Sequence, residues 1–163
     1  MKKRSVRMVM LALVTVFVLS FATPALAYAQ WPNPNWDQKT FGVIKRGEKN
    51  NGKAILVQWH CYAAQAKAGG KEMKRNEVDG VIGARSEAYI KSYQIKKGLK
   101  SDGVVGNATY KKMAATMSSK SDPNKGEVIY DTHDVVKVEK TSRHTKKGNW
   151  FTYNRNGKNV RIK

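Results

Sequence analysis

The sequence predicts a mainly α fold, in which a three-helix module is followed by a small, basic, β-prone C-terminal extension. Three observations support this prediction. The motif DGVIG at 79–83 returns as DGVVG at 102–106. Segments with helical periodicity surround both copies. Beyond residue 126 the pattern changes to short runs rich in β-branched and aromatic residues, which favour strands.

The N-terminus has the pattern of a secretory signal peptide. Four basic residues within 1–7 precede an almost wholly apolar run over 8–21, and small residues follow at 25–27. The run is shorter than the ~20 residues that a membrane-spanning helix needs. We therefore expect a signal peptide over 1–27, or 1–29 with the alternative cleavage site, and no stable membrane insertion after cleavage.

Residues 30–40 form a segment rich in Pro, Asn and Trp. Its prolines argue against a regular helix. Trp31 and Trp36 could stack on sugar rings, because the flat apolar faces of sugars pack on aromatic faces. Packing of the same segment over a hydrophobic core is the alternative interpretation.

Three helices are predicted within a module over 41–117. The first starts at Gly52 and is expected to stop at the glycine pair 69–70. The second starts at Ala84, carries apolar residues at spacings of three and four, and stops at Gly98. The third runs from Asn107 to about Met117.

The repeated motif suits two tight turns that each lead into a helix. An Asp carboxylate can accept nearby backbone N–H bonds, and Gly adopts backbone angles that a side chain disfavours. The repeat extends beyond the motif, since Ser86 and Thr109 each lie seven residues after their Asp. The residues predicted to shape the loops are Asp79, Gly80, Gly83, Asp102, Gly103 and Gly106.

Residues 41–117 resemble the three-helix type of peptidoglycan-binding domain that is appended to bacterial cell-wall enzymes. Three stretches carry the resemblance: Val57-Gln58, DGVIGARSEAYIKSYQ at 79–94 and KGLKSDGVVGNATYKKM at 97–113. The family typically has Leu-Gln in its first helix and Thr-Glu-x-Ala-Val-x-x-Phe-Gln after the first Asp-Gly loop. Most substitutions here are conservative, but Tyr89 stands where the family usually has Ala.

The resemblance implies that wall glycan or its peptide stem lies in a shallow groove near the Asp-Gly loops. Tyr89, Tyr93 and Tyr110 would then offer aromatic faces, and Arg85 would pair with a carboxylate. Asp79 and Asp102 would shape the loops rather than touch ligand. Core packing is the alternative for the tyrosines, most of all for Tyr93.

Downstream of the module, residues 118–126 read as a polar linker and 127–163 as a β-prone extension. Asn156-Gly157 is a hairpin turn signal between two short β-prone runs. The extension carries many basic and aromatic residues, a mixture that suits anionic glycopolymers; a solvated charged ribbon is the alternative. These residues are Lys137, Lys146, Lys147, Arg155, Lys158, Arg161, Trp150, Phe151 and Tyr153.

The chain is strongly cationic, with 31 Lys and Arg against 12 Asp and Glu. Without the four basic residues of the predicted signal peptide, 27 basic residues remain against 12 acidic ones, a formal net charge of +15. Such a surface attracts polyanions. An exported protein meets wall carboxylates and wall phosphates, so we expect no nucleic-acid partner. Solubility alone is the other explanation of the charge.

Catalytic signatures are weak. Cys61, the single cysteine, excludes an intramolecular disulfide, and it lies four residues after Val57 on the same helical face, as a core residue would. His60 beside it points about 100° away, so the two side chains do not converge. A zinc site would need His133 with neighbouring groups, but the HExxH spacing is absent. The other acidic and His candidates are Asp131, Asp134, Glu139, His144, Glu72, Glu77 and Glu87.

The sequence therefore predicts an exported, non-catalytic peptidoglycan-binding protein, secreted or associated with the wall, without cofactor or metal. Anionic wall polymers and a separate wall enzyme are further candidate partners. Two alternatives remain open. One is a small wall hydrolase with an unrecognised site. The other is a secreted cationic protein that binds another anionic polymer or a protein partner.

Overall fold

The structure is a computed structural model that describes residues 36–122, 126–134, 137–145 and 147–162. The predicted signal peptide, Trp31 and Lys146 lie outside these residues. None of the helices in the described ranges is long and apolar enough to cross a membrane.

Four α-helices occur in the described residues: α1 (Gln38–Phe41), α2 (Gly52–Ala63), α3 (Ala84–Lys96) and α4 (Asn107–Ala114). The starts of α2, α3 and α4 agree with the sequence. The end of α2 does not, because Gln65 takes a left-handed backbone conformation with φ of 51°. The chain then forms a hairpin of β1 (Lys67–Ala68) and β2 (Lys71–Glu72), in which Gly69 and Gly70 make the turn instead of ending a helix.

The second half of the chain forms a five-stranded antiparallel sheet in which each strand pairs with the next. Its strands are β3 (Met117–Asp122), β4 (Glu127–Thr132), β5 (Glu139–Thr145), β6 (Trp150–Tyr153) and β7 (Asn159–Arg161). The prediction of a mainly α fold is therefore wrong, because the sheet is a major layer of the molecule and not a small extension. The predicted hairpin at Asn156-Gly157 joins β6 to β7.

β3, the first strand of this sheet, occupies part of the segment in which the sequence predicted a linker. Residues 117–122 pair with 127–132 along their whole length, from Met117 opposite Thr132 to Asp122 opposite Glu127. Serine and lysine are weak strand formers, and the short-range pattern of SSKSD gave no strand signal. Backbone pairing with β4 stabilises a strand that local propensity does not favour.

Helix α2 is the centre of the molecule. All but two of its residues are buried, on every side of the helix. It packs against α3 and against β5 and β6. Trp59 Nε1 donates a hydrogen bond to the carbonyl oxygen of Tyr153. Gly52, at the helix start, lies so close to β7 that a Cβ there would stand 2.9 Å from the carbonyl oxygen of Arg161.

An aromatic cluster joins the helices to the sheet. Trp150 of β6 packs against Trp36 and Phe41, with ring centroids 5.5 and 5.1 Å apart. The same indole stacks on Tyr130 of β4 at 5.4 Å. Trp36 also meets the buried ring of His60 on α2 at 5.8 Å. Of the two interpretations of Trp36, core packing is the one that the structure bears out.

A buried ion pair makes a second connection. Lys97 Nζ, at the end of α3, lies 2.7 Å from Asp134 Oδ1, just after β4, and the Asp134 side chain is only 2% exposed. The Lys97 ammonium also lies 5.6 Å from the centroid of the Tyr93 ring. Removing one partner of such a pair leaves an uncompensated buried charge, which costs about 3–5 kcal/mol.

We expect Trp150→Ala to lower the free energy of unfolding by about 3–5 kcal/mol, because it removes an indole that packs on both layers. Urea denaturation followed by circular dichroism and by tryptophan fluorescence measures this. Both signals should shift together, since the helices and the sheet share one core. The neighbouring Phe151→Ala is the control, with an expected loss of about 1 kcal/mol, because Phe151 is half-exposed beneath Arg143. A helical transition that stays at its wild-type midpoint would refute the shared core.

Candidate functional site

The two Asp-Gly loops have the same internal hydrogen bonding. Asp79 Oδ1 accepts the N–H of Val81 at 2.9 Å, and Asp102 Oδ1 accepts the N–H of Val104 at 2.9 Å. The glycine after each Asp is left-handed, with φ of 80° at Gly80 and 74° at Gly103. The hydrogen bond from Val104, followed by one from Gln94, lowers the pKa of Asp102. These are the contacts that a loop-structuring role requires of the two carboxylates.

A glutamine from the preceding helix holds each loop. Gln58 Oε1 accepts the N–H groups of Asp79 and Gly80 at 3.0 and 2.8 Å. Its Nε2 donates to Asp79 Oδ1 at 2.9 Å and to the Val81 carbonyl at 3.1 Å. The amide therefore meets backbone and carboxylate groups of the loop on both its donor and its acceptor side.

Gln94 repeats this arrangement in the second loop. Its Oε1 accepts the N–H of Gly103 at 2.9 Å, and its Nε2 donates to Asp102 Oδ1 at 3.1 Å and to the Val104 carbonyl at 2.9 Å. Ser86 and Thr109, the residues in phase with the repeat, also accept from the two glutamines, at 3.3 and 3.4 Å. Both glutamines belong to the stretches that resemble the family, but the sequence indicates no role for them. Gln58 lies 21 residues before Asp79 but Gln94 only 8 residues before Asp102, so the two glutamines do not recur at one spacing in the sequence.

A short segment before α2 connects the two loops. Ile44 exchanges backbone hydrogen bonds with Val105 of the second loop, at 3.2 and 2.8 Å. Gly47 N donates to the carbonyl of Ile82 in the first loop, and Ile82 N donates to Glu48, both at 2.9 Å. The segment 43–48 thus runs between both loops and fixes their relative position.

Exposed apolar side chains mark this region. Val81, Val104 and Val43 are 36%, 37% and 36% exposed, whereas the next residue in each case, Ile82, Val105 and Ile44, is buried. Two exposed cations, Lys45 and Arg46, follow in the connecting segment. We call the surface formed by Val43, Lys45, Arg46, Val81 and Val104 the loop face.

The tyrosines predicted to touch ligand are in the core. Tyr89 is 1% exposed, and Tyr93 and Tyr110 are fully buried. Tyr110 packs on Phe41 with ring centroids 5.6 Å apart. Burial raises the pKa of both Tyr93 and Tyr110. Rings without exposed surface offer no face to a sugar, so the core-packing interpretation describes all three.

Arg85 is exposed, but its charge already has an internal carboxylate partner. Its Nε lies 2.9 Å from Glu77 Oε1 and 2.9 Å from the Tyr89 hydroxyl oxygen. The Tyr89 hydroxyl in turn donates to Glu77 at 3.0 Å. Tyr89, which replaces the family's usual Ala, therefore ties the start of α3 to the short 3-10 helix Arg75–Glu77.

The adjacent pair His60 and Cys61 is buried, and its chemistry is that of a core. Burial, reinforced by the negative charge of Asp134, raises the pKa of the Cys61 thiol. Burial, followed by the positive charge of Lys97, lowers the pKa of His60 to about 3. Among the residues that the structure describes, neither ring nitrogen of His60 has a hydrogen-bond partner. The interpretation of Cys61 as a core residue is confirmed.

The other titratable candidates are spread over the molecule. Asp134 pairs with Lys97, and Glu139 pairs with Arg75 at 3.1 Å. His144 packs on Trp150 at 4.9 Å between centroids. Glu87 pairs with Lys91 at 2.7 Å on the surface of α3. Within the described ranges, no three His, Cys, Asp or Glu side chains come together as metal ligands would.

Residues 66–113 match the family model described as "Putative peptidoglycan binding domain". The match covers both Asp-Gly loops, all of α3 and most of α4. It confirms the resemblance drawn from the repeated motif, and it supports peptidoglycan as the partner and the cell wall as the place of action. No curated protein and no solved structure matches the chain.

We expect Gly80→Ala to destabilise the protein more than Gly98→Ala. Both positions have positive φ, which costs an Ala side chain about 1–2 kcal/mol. At Gly80 the new Cβ would also lie 3.3 Å from the carbonyl oxygen of Asn51 and 3.1 Å from Ile55, whereas at Gly98 it meets nothing within 4 Å. Thermal and urea unfolding of the two variants measure the difference. Equal losses would contradict the close packing of the first loop on α2.

His60 makes stability depend on pH. Its pKa is about 3 in the folded protein and 6.5 as the ordinary value. The neutral imidazole of His60 therefore makes its full contribution to the free energy of unfolding above about pH 6.5. This contribution is lost as the pH falls toward 3, at up to about 1.4 kcal/mol per pH unit, because the unfolded chain binds the proton more readily than the folded one. Urea unfolding between pH 7 and 5 should show this slope, and His60→Leu should flatten it. His144, whose pKa burial also lowers, retains a slope of the same sign in the variant. Identical slopes in both proteins would refute the assignment.

Proposed function

We propose that this protein, whose residues 66–113 match a peptidoglycan-binding family, is an exported and non-catalytic binder of the bacterial wall. The observation that carries the proposal is that the matched residues contain both Asp-Gly loops. Each loop is held in one conformation by its own glutamine, and a surface of this kind is ordered before ligand arrives.

The loop face is the proposed contact surface. Val81 and Val104 stand at equivalent positions of the two loops, and their exposed methyl groups suit the apolar C–H faces of sugar rings. Lys45 adds positive charge for the carboxylates of the peptide stem. Arg46 is 66% exposed and can exchange its surface ion pair with Glu87, at 3.6 Å, for such a carboxylate. Because Tyr89, Tyr93 and Tyr110 are buried, the proposal assigns sugar contact to these valines and not to aromatic rings.

Binding without catalysis agrees with the environment of the reactive side chains. Cys61 is buried with a raised pKa, and a thiol in that state is a poor nucleophile. Asp134 and Glu139 each pair with a cation. An exported protein also meets peptidoglycan, and the proposed export rests on the signal-peptide pattern at 1–27.

A small wall hydrolase is the second candidate, and one observation favours it. Ser118 Oγ and His133 Nε2 are hydrogen-bonded at the surface, which is the relation of a nucleophile to its base. This candidate predicts that the protein clears a wall suspension and that Ser118→Ala abolishes the clearing. The binding proposal predicts no clearing by either protein.

Sedimentation with peptidoglycan stripped of other wall polymers tests the proposal, at low and at high salt, with turbidity followed in parallel. We expect the protein to stay bound at high salt, because apolar contacts are insensitive to screening. The double variant Val81→Ser and Val104→Ser should lower the bound fraction several-fold. Ile95→Ser is the matched control, since Ile95 is a 67% exposed apolar residue on α3.

Loss of wild-type retention at high salt would refute peptidoglycan as the ligand. Equal retention of the double variant and of the wild type would refute the loop face as the contact surface.

A further inference from the structure

A concave surface is formed by residues that do not belong to the loop face. It is a cleft of about 540 Å³ between the β1–β2 hairpin, the end of α2 and the segment that enters β5. Tyr62 and Met73 line it together with four cations and one carboxylate. The cations are Lys71, Lys74, Arg75 and Lys137, and the carboxylate is Glu72.

Arg75, the arginine of the cleft, is already in contact with other groups of the protein. Arg75 Nη1 pairs with Glu139 Oε1 at 3.1 Å, and its Nε donates to the carbonyl oxygen of Arg155 at 3.3 Å. Its guanidinium carbon lies 5.1 Å from the centroid of the Trp59 ring. Arg75 therefore holds the 3-10 helix against the sheet and gives the cleft a fixed wall.

The three lysines are differently placed. Lys71 and Lys74 are exposed, and within the described ranges none of the ion pairs involves Lys71, Lys74 or Lys137. Each ammonium is a compact charge on a flexible stem and can donate to a ligand oxygen. Among the described residues the cleft thus gathers three cations without an ion-pair partner, and Glu72 is the one carboxylate in its lining.

An aromatic ring completes the cleft. Tyr62 is half-buried, and its ring packs edge-on against Trp59 with centroids 5.8 Å apart. Lys137 Nζ lies 4.1 Å from the centroid of the Tyr62 ring. The Lys137 ammonium thus lies over one face of the ring. The ring can receive the apolar side of a polyol or sugar when an anion attached to that ligand draws the ammonium off this face.

We propose that this cleft binds a phosphodiester-linked glycan or polyol, such as an anionic polymer of the wall. Lysine ammoniums bind phosphate and carboxylate oxygens alike as point charges, so the choice among polyanions rests on the Tyr62 ring, which an uncharged polyol unit between two charges can cover. The one arginine of the cleft already pairs with Glu139. The three lysines and the Tyr62 ring therefore match alternating phosphate and polyol units.

Isothermal titration of the purified protein with a poly(glycerol phosphate) oligomer tests this inference, with poly-glutamate as the carboxylate polyanion. Substituting Gln for Lys71, Lys74 and Lys137 together should weaken poly(glycerol phosphate) binding at least about tenfold. The matched control substitutes Gln for the exposed Lys111, Lys112 and Lys158, and so removes the same charge elsewhere. This control should lose less than about threefold.

Variants of Tyr62 distinguish the contribution of ring stacking to binding from that of charge. Tyr62→Leu should weaken poly(glycerol phosphate) binding several-fold and leave the binding of inorganic polyphosphate unchanged, whereas Tyr62→Phe should preserve both. Thermal unfolding checks that each variant is folded.

Three results would overturn the inference. The first is an equal loss of affinity for poly(glycerol phosphate) in the two triple variants, and the second is wild-type binding of poly-glutamate as tight as that of poly(glycerol phosphate). The third is that the triple variant of Lys71, Lys74 and Lys137, the cleft variant, no longer binds stripped peptidoglycan. The last result would mean that the cleft and the loop face are one site. Unchanged sedimentation of the cleft variant with stripped peptidoglycan, together with lost polymer binding, supports two separate sites whether or not the loop face itself is correctly placed.

Discussion

The burial of α2 on all its sides is the constraint on which the rest of the structure depends. A helix that is buried on all its sides must be covered by more than one layer. Its Gln58 reaches the first Asp-Gly loop, whereas Trp59 bonds to the backbone of β6 and His60 packs on Trp36. The helices and the sheet therefore cover the same element, and each loses its packing partner if the other unfolds.

Several polar groups inside this core have individual partners. Gln58 and Gln94 replace the backbone partners that the tight loops lack, which satisfies the loop N–H groups without strands. Lys97 and Asp134 neutralise each other at the junction of α3 and the sheet. His60 has no such partner and stays neutral because protonation would place a charge among aromatic rings. This interior stiffens the loops and makes the fold sensitive to acid.

The two proposed binding surfaces differ in the kind of recognition that they use. The loop face combines exposed valines with two cations, and apolar contact of this kind acts over short range and resists salt. The cleft beside Tyr62 concentrates lysine charge, which acts over about 10 Å and weakens as salt increases. The formal net charge of +15 that remains without the predicted signal peptide favours the approach of any polyanion. In the proposal, the arrangement of Lys71, Lys74 and Lys137 around a ring distinguishes one polyanion from another.

The sequence alone determined the two loops and the starts of their helices, because Asp79, Gly80, Asp102 and Gly103 act through contacts with near neighbours in the chain. Tertiary structure decided the rest. The strand at 117–122 has little local propensity and depends on pairing with β4. The tyrosine spacing of α3 is the same whether a ring faces ligand or core, and only the elements packed around it buried Tyr89 and Tyr93. The cleft joins residues from 62 to 137, and no local pattern can specify a surface formed by segments so distant in sequence.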